Sequence, residues 1–380
     1  MEVLRNTRAS EHLDFIRGVA ALSVLLGHLR SALFLAYDEL HAPSLFVKVC
    51  YFFSGFGAES VMVFFVLSGF LIASNVYLEI KQHTFSWYSY LINRLVRLYV
   101  VLVPALVFSA LITYLGYVML LKHNVYPKID FTCFCSNMLF LQTITADTYA
   151  DNGPLWSLSN EFWYYLLFPL FVMGFMRRQG VSNMVIFLGL AISILCLIGA
   201  DKSFYFLLWL LGFLIYLMKP MKFFYVNIQA RKASLGFFFL ALVSESVLSH
   251  LHIAPAKVRD SLTAICFAVF LYIMLHDICL SKKKVYFELS SRISSCSYTL
   301  YLIHYPILKL LEASLASHWE VDIKHALYGM IVFVVIVLFA YGFSLATESR
   351  TREVKTLLLN LGKTSSRLFF PLFKRIFPTS

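Results

Sequence analysis

The chain has 380 residues and a formal net charge of +11, with 60% hydrophobic and only 14% charged residues. Globular chains average about 45 to 50% apolar and about 25% charged residues, and a single soluble core stops growing near about 250 to 300 residues. The composition therefore excludes a soluble globular protein and indicates apolar faces that contact lipid. Lys and Arg occur in short clusters between apolar runs, which favours basic cytoplasmic loops over nucleic-acid binding.

Ten apolar runs follow one another along the chain, each close to the roughly 20 residues that cross a bilayer as a helix. They cover residues 12–36, 57–79, 95–120, 155–176, 182–200, 203–219, 234–250, 260–280, 293–312 and 326–347. This pattern predicts an all-α fold, a polytopic transmembrane bundle of about ten helices. The first run contains Arg17 and lacks a small-residue cleavage site, so we expect a retained span rather than a signal peptide.

The basic residues between the runs predict the orientation of the bundle. If the segment with Arg5 and Arg8 is cytoplasmic, every second connection is cytoplasmic too, and those connections hold most other basic clusters: Lys81 with Arg94, Arg177 with Arg178, Lys219 to Lys232, and Lys282 to Lys284. The opposite connections hold fewer cations or balance them with acids, as in Asp201 with Lys202. By the positive-inside rule, both termini are predicted to be cytoplasmic.

The longest outer connection, residues 121–154, contains several polar residues beside aromatic and apolar ones: Asp130, Asp147, Asp151 and Asn152. Two interpretations stay open for this segment. It could bind a polar acceptor molecule, or it could cap the outer end of the bundle.

Two ionisable residues lie inside the first span, where such residues are costly and usually mark function. Arg17 and His28 are eleven residues apart, so they share one helix face and lie about 16 Å apart along the axis. Arg17 is predicted near the cytoplasm and His28 in the outer third of the membrane. A ligand whose phosphate group binds Arg17 could thus reach His28 with an extended arm.

Arg94 and Arg97 form an R-x-x-R pair one helical turn apart at the cytoplasmic start of the third span. Two guanidinium groups on one face suit phosphate recognition, because each offers paired donors. The alternative is that both residues are topology anchors whose side chains extend to the membrane surface.

Glu161 and His304 are predicted at the same outer-third depth as His28. A neutral His can deprotonate a hydroxyl group, and a nearby carboxylate can orient its ring. The alternative for His304 is a buried polar packing residue. Ser68 and Gly69 are predicted near mid-membrane, where small residues permit close helix approach. We favour that interpretation over a Ser nucleophile, because no G-x-S-x-G elbow surrounds Ser68.

These residues belong to motifs in which the sequence resembles the membrane acyltransferase-3 family, which includes bacterial O-acetyltransferases of surface polysaccharides. The matching motifs extend across nearly the whole bundle in order: R-x10-H from Arg17 to His28, FFVLSGFLI at 64–72, the pair Arg94 and Arg97, W-x-L-x-x-E from Trp156 to Glu161, and SYTLYLIHYPI from Ser297 to Ile307.

The resemblance implies an acetyl-CoA-dependent O-acetyltransferase of the bacterial cytoplasmic (inner) membrane. It would take an acyl group, commonly acetyl, from cytoplasmic acyl-CoA and transfer it to an extracytoplasmic glycan, such as lipopolysaccharide O-antigen or a lipid-linked glycan. Residues 1–350 would form the membrane-embedded acyltransferase domain, in contact with lipid. Residues 351–380, which mix basic residues with Leu and Phe pairs, would form a basic amphipathic cytoplasmic tail. We expect neither a metal nor a nucleic-acid partner.

The resemblance also assigns candidate roles to residues of this chain. His28 becomes the catalytic base and Glu161 a second catalytic candidate. Arg17, Arg94 and Arg97 become the residues that bind acetyl-CoA. Further residues are expected to bind substrate or to support the site: Asp14, Ser68, Trp156, Tyr298 and His304.

A transporter or flippase of a polar or lipid-linked glycan would also explain many spans and buried charges. The cytoplasmic arginines favour the acyltransferase. So does the sequence pattern, in which we find no obvious inverted repeat and no pair of Gly/Pro-broken helices.

Overall fold

The computed structural model describes residues 8–120, 129–176, 180–219, 228–250, 254–275 and 284–360. Within these ranges the chain is helical and forms no β-strand, which confirms the predicted all-α fold. Parts of the predicted basic clusters and of the tail lie outside the described residues: Arg5, Arg177, Arg178, residues 220–227, Lys282, Lys283 and residues 361–380. Residues 121–128 of the outer connection lie outside them as well.

The helices follow the predicted runs closely. They are α1 (Arg8–Leu33), α2 (Leu45–Phe53), α3 (Gly57–Ser68), α4 (Ser74–Lys81), α5 (Trp87–Leu120), α6 (Phe131–Met138), α7 (Leu155–Phe175), α8 (Gly180–Leu217), α9 (Ile228–His250), α10 (Ala256–Leu275), α11 (Lys284–Ser295), α12 (Ser297–Ser314) and α13 (Ile323–Ala346). A π-helical turn, Gly69–Ala73, joins α3 to α4. Residues 351–360, at the start of the predicted tail, are helical too.

Six helical segments among the described residues are long and apolar enough to cross a membrane. They are Glu11–Leu33, Leu45–Lys81, Trp87–Met119, Gly180–Leu217, Ala256–Leu275 and Ile323–Asn360. This finding supports an integral membrane protein, whereas the count of about ten crossings and the cytoplasmic termini stay predictions. The predicted boundary between the runs 182–200 and 203–219 falls where Gly199, with φ of +78°, interrupts the helical path of α8.

Close contact between α8 and the start of the π-helical turn depends on two glycines. A Cβ atom added to Gly69 would lie 1.9 Å from the carbonyl oxygen of Trp209, and one added to Gly212 would lie 2.1 Å from that of Val66. Neither distance is possible for a real side chain. The prediction that small residues here permit close helix approach is therefore confirmed at Gly69.

Two polar residues of the outer connection, Asp130 and Asn137, stabilise this segment by hydrogen bonds to its backbone. The Asp130 carboxylate accepts a hydrogen bond from the N–H of Cys133 at 2.8 Å at the start of α6. The amide group of Asn137 donates to the carbonyl of Asp147 at 2.9 Å. These bonds support the capping interpretation for this part of the connection, since side chains at such positions satisfy backbone groups that a helix end leaves without partners.

Asn152 connects the outer connection to α12. Pro306 has no N–H, so the carbonyl of Leu302, four residues earlier, loses its usual helical donor. The side-chain amide of the fully buried Asn152 supplies a replacement and donates to that carbonyl at 2.8 Å. This bond holds the start of α7 against the middle of α12.

Asp201 and Lys202, the neighbours whose charges balance in an outer connection, do not pair with each other. Asp201 instead forms an ion pair with Lys257 at 2.5 Å. Lys202 is buried, and its ammonium group donates to the side-chain oxygen of Asn160 at 3.0 Å and to the hydroxyl of Thr143. Consecutive residues of a helix point about 100° apart, which explains why the two side chains have different partners.

Candidate active site

A cavity of about 280 Å³ lies inside the bundle, and we call it the inner cavity. The three predicted donor-site residues, Arg17 from α1 and Arg94 and Arg97 from α5, all line it. Their side chains come from helices that are distant in sequence. The structure therefore brings the three cations to one site.

Four further candidates line the same cavity: Asp14, Ser68, Glu161 and Tyr298. Other polar residues of its wall were not predicted as site residues: Asn75, Ser157, Tyr165, Ser297 and Tyr301. Most of these residues lie within about one helical turn of a predicted one. Residues three or four apart in a helix lie on the same face. Ser157 and Tyr165 could therefore have been predicted from Glu161, and Tyr301 from Tyr298.

The three arginines are held in different ways. Arg17 forms an ion pair with Asp14 at 3.0 Å and donates to the carbonyl of Ser294 at 3.4 Å. The Arg94 guanidinium lies 5.7 Å from the ring centres of both Tyr90 and Tyr165. Arg94 and Arg97 form no ion pair with any carboxylate of the described ranges, which leaves their charge available to an anionic ligand.

Pro169 explains the position of Tyr90 beside Arg94. The proline leaves the carbonyl of Tyr165 without its usual helical donor, and the hydroxyl of Tyr90 donates to that carbonyl at 2.9 Å. The bond thereby joins the two tyrosines whose rings contact the guanidinium. Such contacts between a cation and an aromatic face contribute about 0.5 to 2 kcal/mol.

Glu161 lies in the inner cavity rather than beside His28. Its carboxylate accepts hydrogen bonds from the hydroxyl of Ser68 at 2.8 Å and from the hydroxyl of Tyr165. The expectation that a carboxylate orients the His28 ring thus does not describe this structure. The reason is lateral packing, because the shared depth of two residues does not make them neighbours.

His304 takes the place beside His28 that was expected for a carboxylate. The Nδ1 atom of His28 and the Nε2 atom of His304 are joined by a hydrogen bond of 2.8 Å, and the two rings are inclined by only 14°. His304 is fully buried, and its Nδ1 atom lies 2.8 Å from the carbonyl oxygen of Leu300. The structure therefore joins two of the predicted site residues directly.

His28 also lines a second, smaller space of about 70 Å³, the outer pocket. The other residues of this pocket come from the end of α1 and from α12: Ser31, Ala32, Tyr305, Leu308, Lys309 and Glu312. Lys309 and Glu312 form an ion pair at 2.9 Å. The pocket therefore offers polar and charged side chains next to the imidazole of His28.

Tyr301 separates the inner cavity from the histidine pair. Its hydroxyl is hydrogen-bonded to that of Ser157 at 2.7 Å, and both residues line the inner cavity. The Tyr301 ring centre lies 6.2 Å from that of His304. The order from one side to the other is thus inner cavity, Tyr301, histidine pair and outer pocket.

The helix directions agree with this order. Along α1, Asp14 and Arg17 line the inner cavity and His28 the outer pocket, and along α12 Ser297 precedes Lys309 in the same sense. The two helices therefore run in parallel, as the predicted topology requires.

Like His304, Trp156 lines neither space. Its ring packs against Phe65 and Tyr205, with centroid distances of 6.0 and 5.7 Å. Phe65 is itself part of the inner-cavity wall, so Trp156 supports that wall from behind. The part of the chain that the structure describes contains no group of three or more His, Cys, Asp or Glu side chains placed to hold a metal ion.

Comparisons with known proteins place the chain in a family. A model of an acyltransferase domain, acyltransferase-3, matches residues 11–345. An uncharacterized protein of Haemophilus influenzae is 33% identical over an alignment of 117 residues, and the match covers 28% of this chain and 46% of that protein. The chain thus spans less than half the length of this relative. No solved structure matches the chain. Because the domain model covers most of its length, the chain belongs to the acyltransferase-3 family of membrane acyltransferases.

Proposed function

We propose that the protein is an acetyl-CoA-dependent O-acetyltransferase of the bacterial inner membrane. It takes the acetyl group from cytoplasmic acetyl-CoA and transfers it to a hydroxyl group of an extracytoplasmic glycan, such as lipopolysaccharide O-antigen or another surface polysaccharide. One observation carries the proposal. The arginine-lined inner cavity and the outer pocket lie on opposite sides of the His28–His304 pair.

The inner cavity has the chemistry of a coenzyme A site. The phosphate groups of the coenzyme bind Arg17, Arg94 and Arg97, whose guanidinium groups make charge-assisted hydrogen bonds. The pantetheine arm then extends past Ser68 and Glu161 toward Tyr301. Arg17 and His28 are about 16 Å apart along the axis of α1, so an extended arm brings the thioester close to the histidine pair.

The outer pocket receives the acceptor hydroxyl. His28 takes the hydroxyl proton while the oxygen attacks the thioester carbonyl, and the bond between carbonyl carbon and sulfur breaks as the new ester bond forms. The proton then passes from His28 to the leaving thiolate, which gives the free thiol of coenzyme A. Glu161 contributes on the donor side, where its carboxylate holds Ser68 and Tyr165 in the cavity wall.

His28→Ala tests the assignment of the base. The full chain is reconstituted in lipid vesicles with acetyl-CoA and extracted glycan, and acetyl transfer and acetyl-CoA binding are measured separately. We expect turnover to fall by at least about 100-fold, the usual contribution of a general base, while acetyl-CoA binding persists. His325→Ala is the matched control, since His325 contacts Asp322 and lines neither space. A folded His28→Ala protein with near wild-type turnover would contradict the base assignment.

Mass spectrometry of surface glycans tests the acceptor class. Cells that carry the protein should show an added acetyl mass on the glycan that cells without it lack. A flippase would instead move unmodified glycan across vesicle membranes without any acyl donor. That result would contradict the proposed function and indicate a transporter.

A further inference from the structure

We propose that His304 is a positioning residue that fixes the tautomer of His28, so that Nδ1 of His28 carries the proton and Nε2 is the nitrogen that accepts one. The inference deepens the proposed function and rests on it for the role of His28 as base. The tautomer itself is a property of the resting protein and can be measured without any reaction.

The carbonyl of Leu300 determines the protonation of His304. A carbonyl oxygen can only accept a hydrogen bond, and it lies 2.8 Å from the Nδ1 atom of His304. The Nδ1 atom must therefore carry the proton. A neutral imidazole has one N–H donor, so its other nitrogen, Nε2, is an acceptor.

The protonation of His28 follows from that of His304. The Nε2 atom of His304 lies 2.8 Å from the Nδ1 atom of His28. Since Nε2 of His304 accepts, Nδ1 of His28 must donate. The lone pair of His28 is then on Nε2, which has no hydrogen-bond partner among the described residues.

The alternative assignment would make His304 a cation that donates from both nitrogens. His304 is fully buried within the helix bundle and has 0% exposure. No carboxylate of the described ranges lies against its ring. An unpaired charge at such a position costs several kcal/mol or more, so the neutral form is the one that the surroundings favour.

The surroundings of His304 also fix its position. Its Nδ1 bond to Leu300 is made to the preceding helical turn. Asn152 ties the same stretch of α12 to the outer connection through the carbonyl of Leu302. The Tyr305 ring meets the His28 ring edge-on at 5.1 Å between centres. A rotation of either imidazole would therefore break the hydrogen bond that joins them.

A second imidazole does here what an aspartate does in the Ser-His-Asp triad, where the aspartate holds the catalytic His in the correct tautomer. An aspartate would place a negative charge deep in the bundle, which is expensive in a membrane. A neutral His acceptor orients the ring without that charge. A neutral His304, however, stabilises the imidazolium form of His28 less than a carboxylate would.

Three variants of the full chain in lipid vesicles test the role of His304. His304→Gln places an acceptor oxygen near the position of Nε2, His304→Asn places its amide near Nδ1 only, and His304→Leu fills the space without an acceptor. We expect His304→Leu and His304→Asn to lose kcat by about 100-fold with an unchanged KM for acetyl-CoA. The kcat of His304→Gln should be at least about tenfold higher than that of the other two variants. Equal activity of the Gln and Asn variants, or full kcat in His304→Leu, would overturn the inference.

Nitrogen-15 NMR of the histidine-labelled protein tests the tautomer directly, with the His28 signals identified by their loss in His28→Ala. We expect a protonated Nδ1 and an unprotonated Nε2 on His28 at neutral pH, and loss of that preference in His304→Leu. A protonated Nε2 on resting His28 would overturn the inference even if the protein transfers acetyl groups. Full activity of His28→Ala beside the expected spectrum would support the tautomer and contradict only the base assignment.

Discussion

The hydroxyl groups of Ser157 and Tyr301 form a hydrogen bond of 2.7 Å at the boundary between the inner cavity and the histidine pair. Both side chains are buried, Ser157 to 8% and Tyr301 to 9% exposure. Tyr301 also lies next to His304, with 6.2 Å between the ring centres. We expect this bond to limit access from the outer pocket to the inner cavity.

Tyr301→Phe should raise acetyl-CoA hydrolysis several-fold in the absence of an acceptor, because water from the outer pocket can then reach the thioester. Release of free thiol from acetyl-CoA measures it. Tyr99→Phe is the matched control. It also removes one hydrogen bond of a tyrosine hydroxyl, that to the carbonyl of Met138 at 2.6 Å, but Tyr99 lines neither space. Hydrolysis at the wild-type rate in Tyr301→Phe would show that the contact does not limit access to the cavity.

The paired substitution Arg94→Ala with Arg97→Ala should weaken acetyl-CoA binding by at least about tenfold, since each hydrogen bond to a charged group contributes about 1.5 to 3 kcal/mol. Calorimetric titration of the reconstituted protein measures the affinity. Arg350→Ala is the control, because Arg350 is exposed and pairs with Glu353 at 3.1 Å. If the double variant binds acetyl-CoA as the wild type does, both arginines are topology anchors.

Ser68→Ala should reduce acetyl transfer only modestly, by roughly fivefold, the equivalent of one hydrogen bond of about 1 kcal/mol. The reason is that Ser68 donates to Glu161 at 2.8 Å and so shapes the cavity, whereas direct transfer needs no serine ester. Intact-mass measurement of the protein with acetyl-CoA and no acceptor should show no added acetyl mass. An acetyl adduct that disappears in Ser68→Ala would instead establish an acyl-enzyme.

Gly69→Ala should destabilise the protein by at least about 1 to 3 kcal/mol, the usual cost of overpacking, because the new Cβ would meet the backbone of Trp209 at 1.9 Å. The thermal midpoint of the detergent-solubilised protein should fall accordingly. Gly342→Ala is the control, since a Cβ at Gly342 meets nothing within 4 Å. An equal midpoint for the two variants would mean that the helices do not cross closely at Gly69.

Much of the fold could be predicted from the sequence, because helix formation in a membrane depends on local hydrophobicity and length. The predicted runs coincide with helices, and Gly199 marks the predicted break in α8. The contacts of Asp201 with Lys257 and of Lys202 with Asn160 could not be predicted from the sequence. Ion pairs join side chains across helices, and the arrangement of helices is not a local property.

The candidate site, too, could be predicted only in part. Spacing along α1 was enough to place Arg17 and His28 on one face and at different depths, since rise and rotation per residue are constant in a helix. Local sequence patterns thus predict a membrane-embedded, helical protein with an arginine toward one end of α1 and a histidine toward the other. The contacts between distant helices could not be predicted in this way. Arg94 and Arg97 join Arg17 in one cavity, Glu161 lies there with Ser68, and His304 contacts His28. The reason is that lateral neighbours are set by packing between distant helices, through close crossings such as that at Gly69 and bonds such as that of Asn152, which no periodicity within one helix encodes.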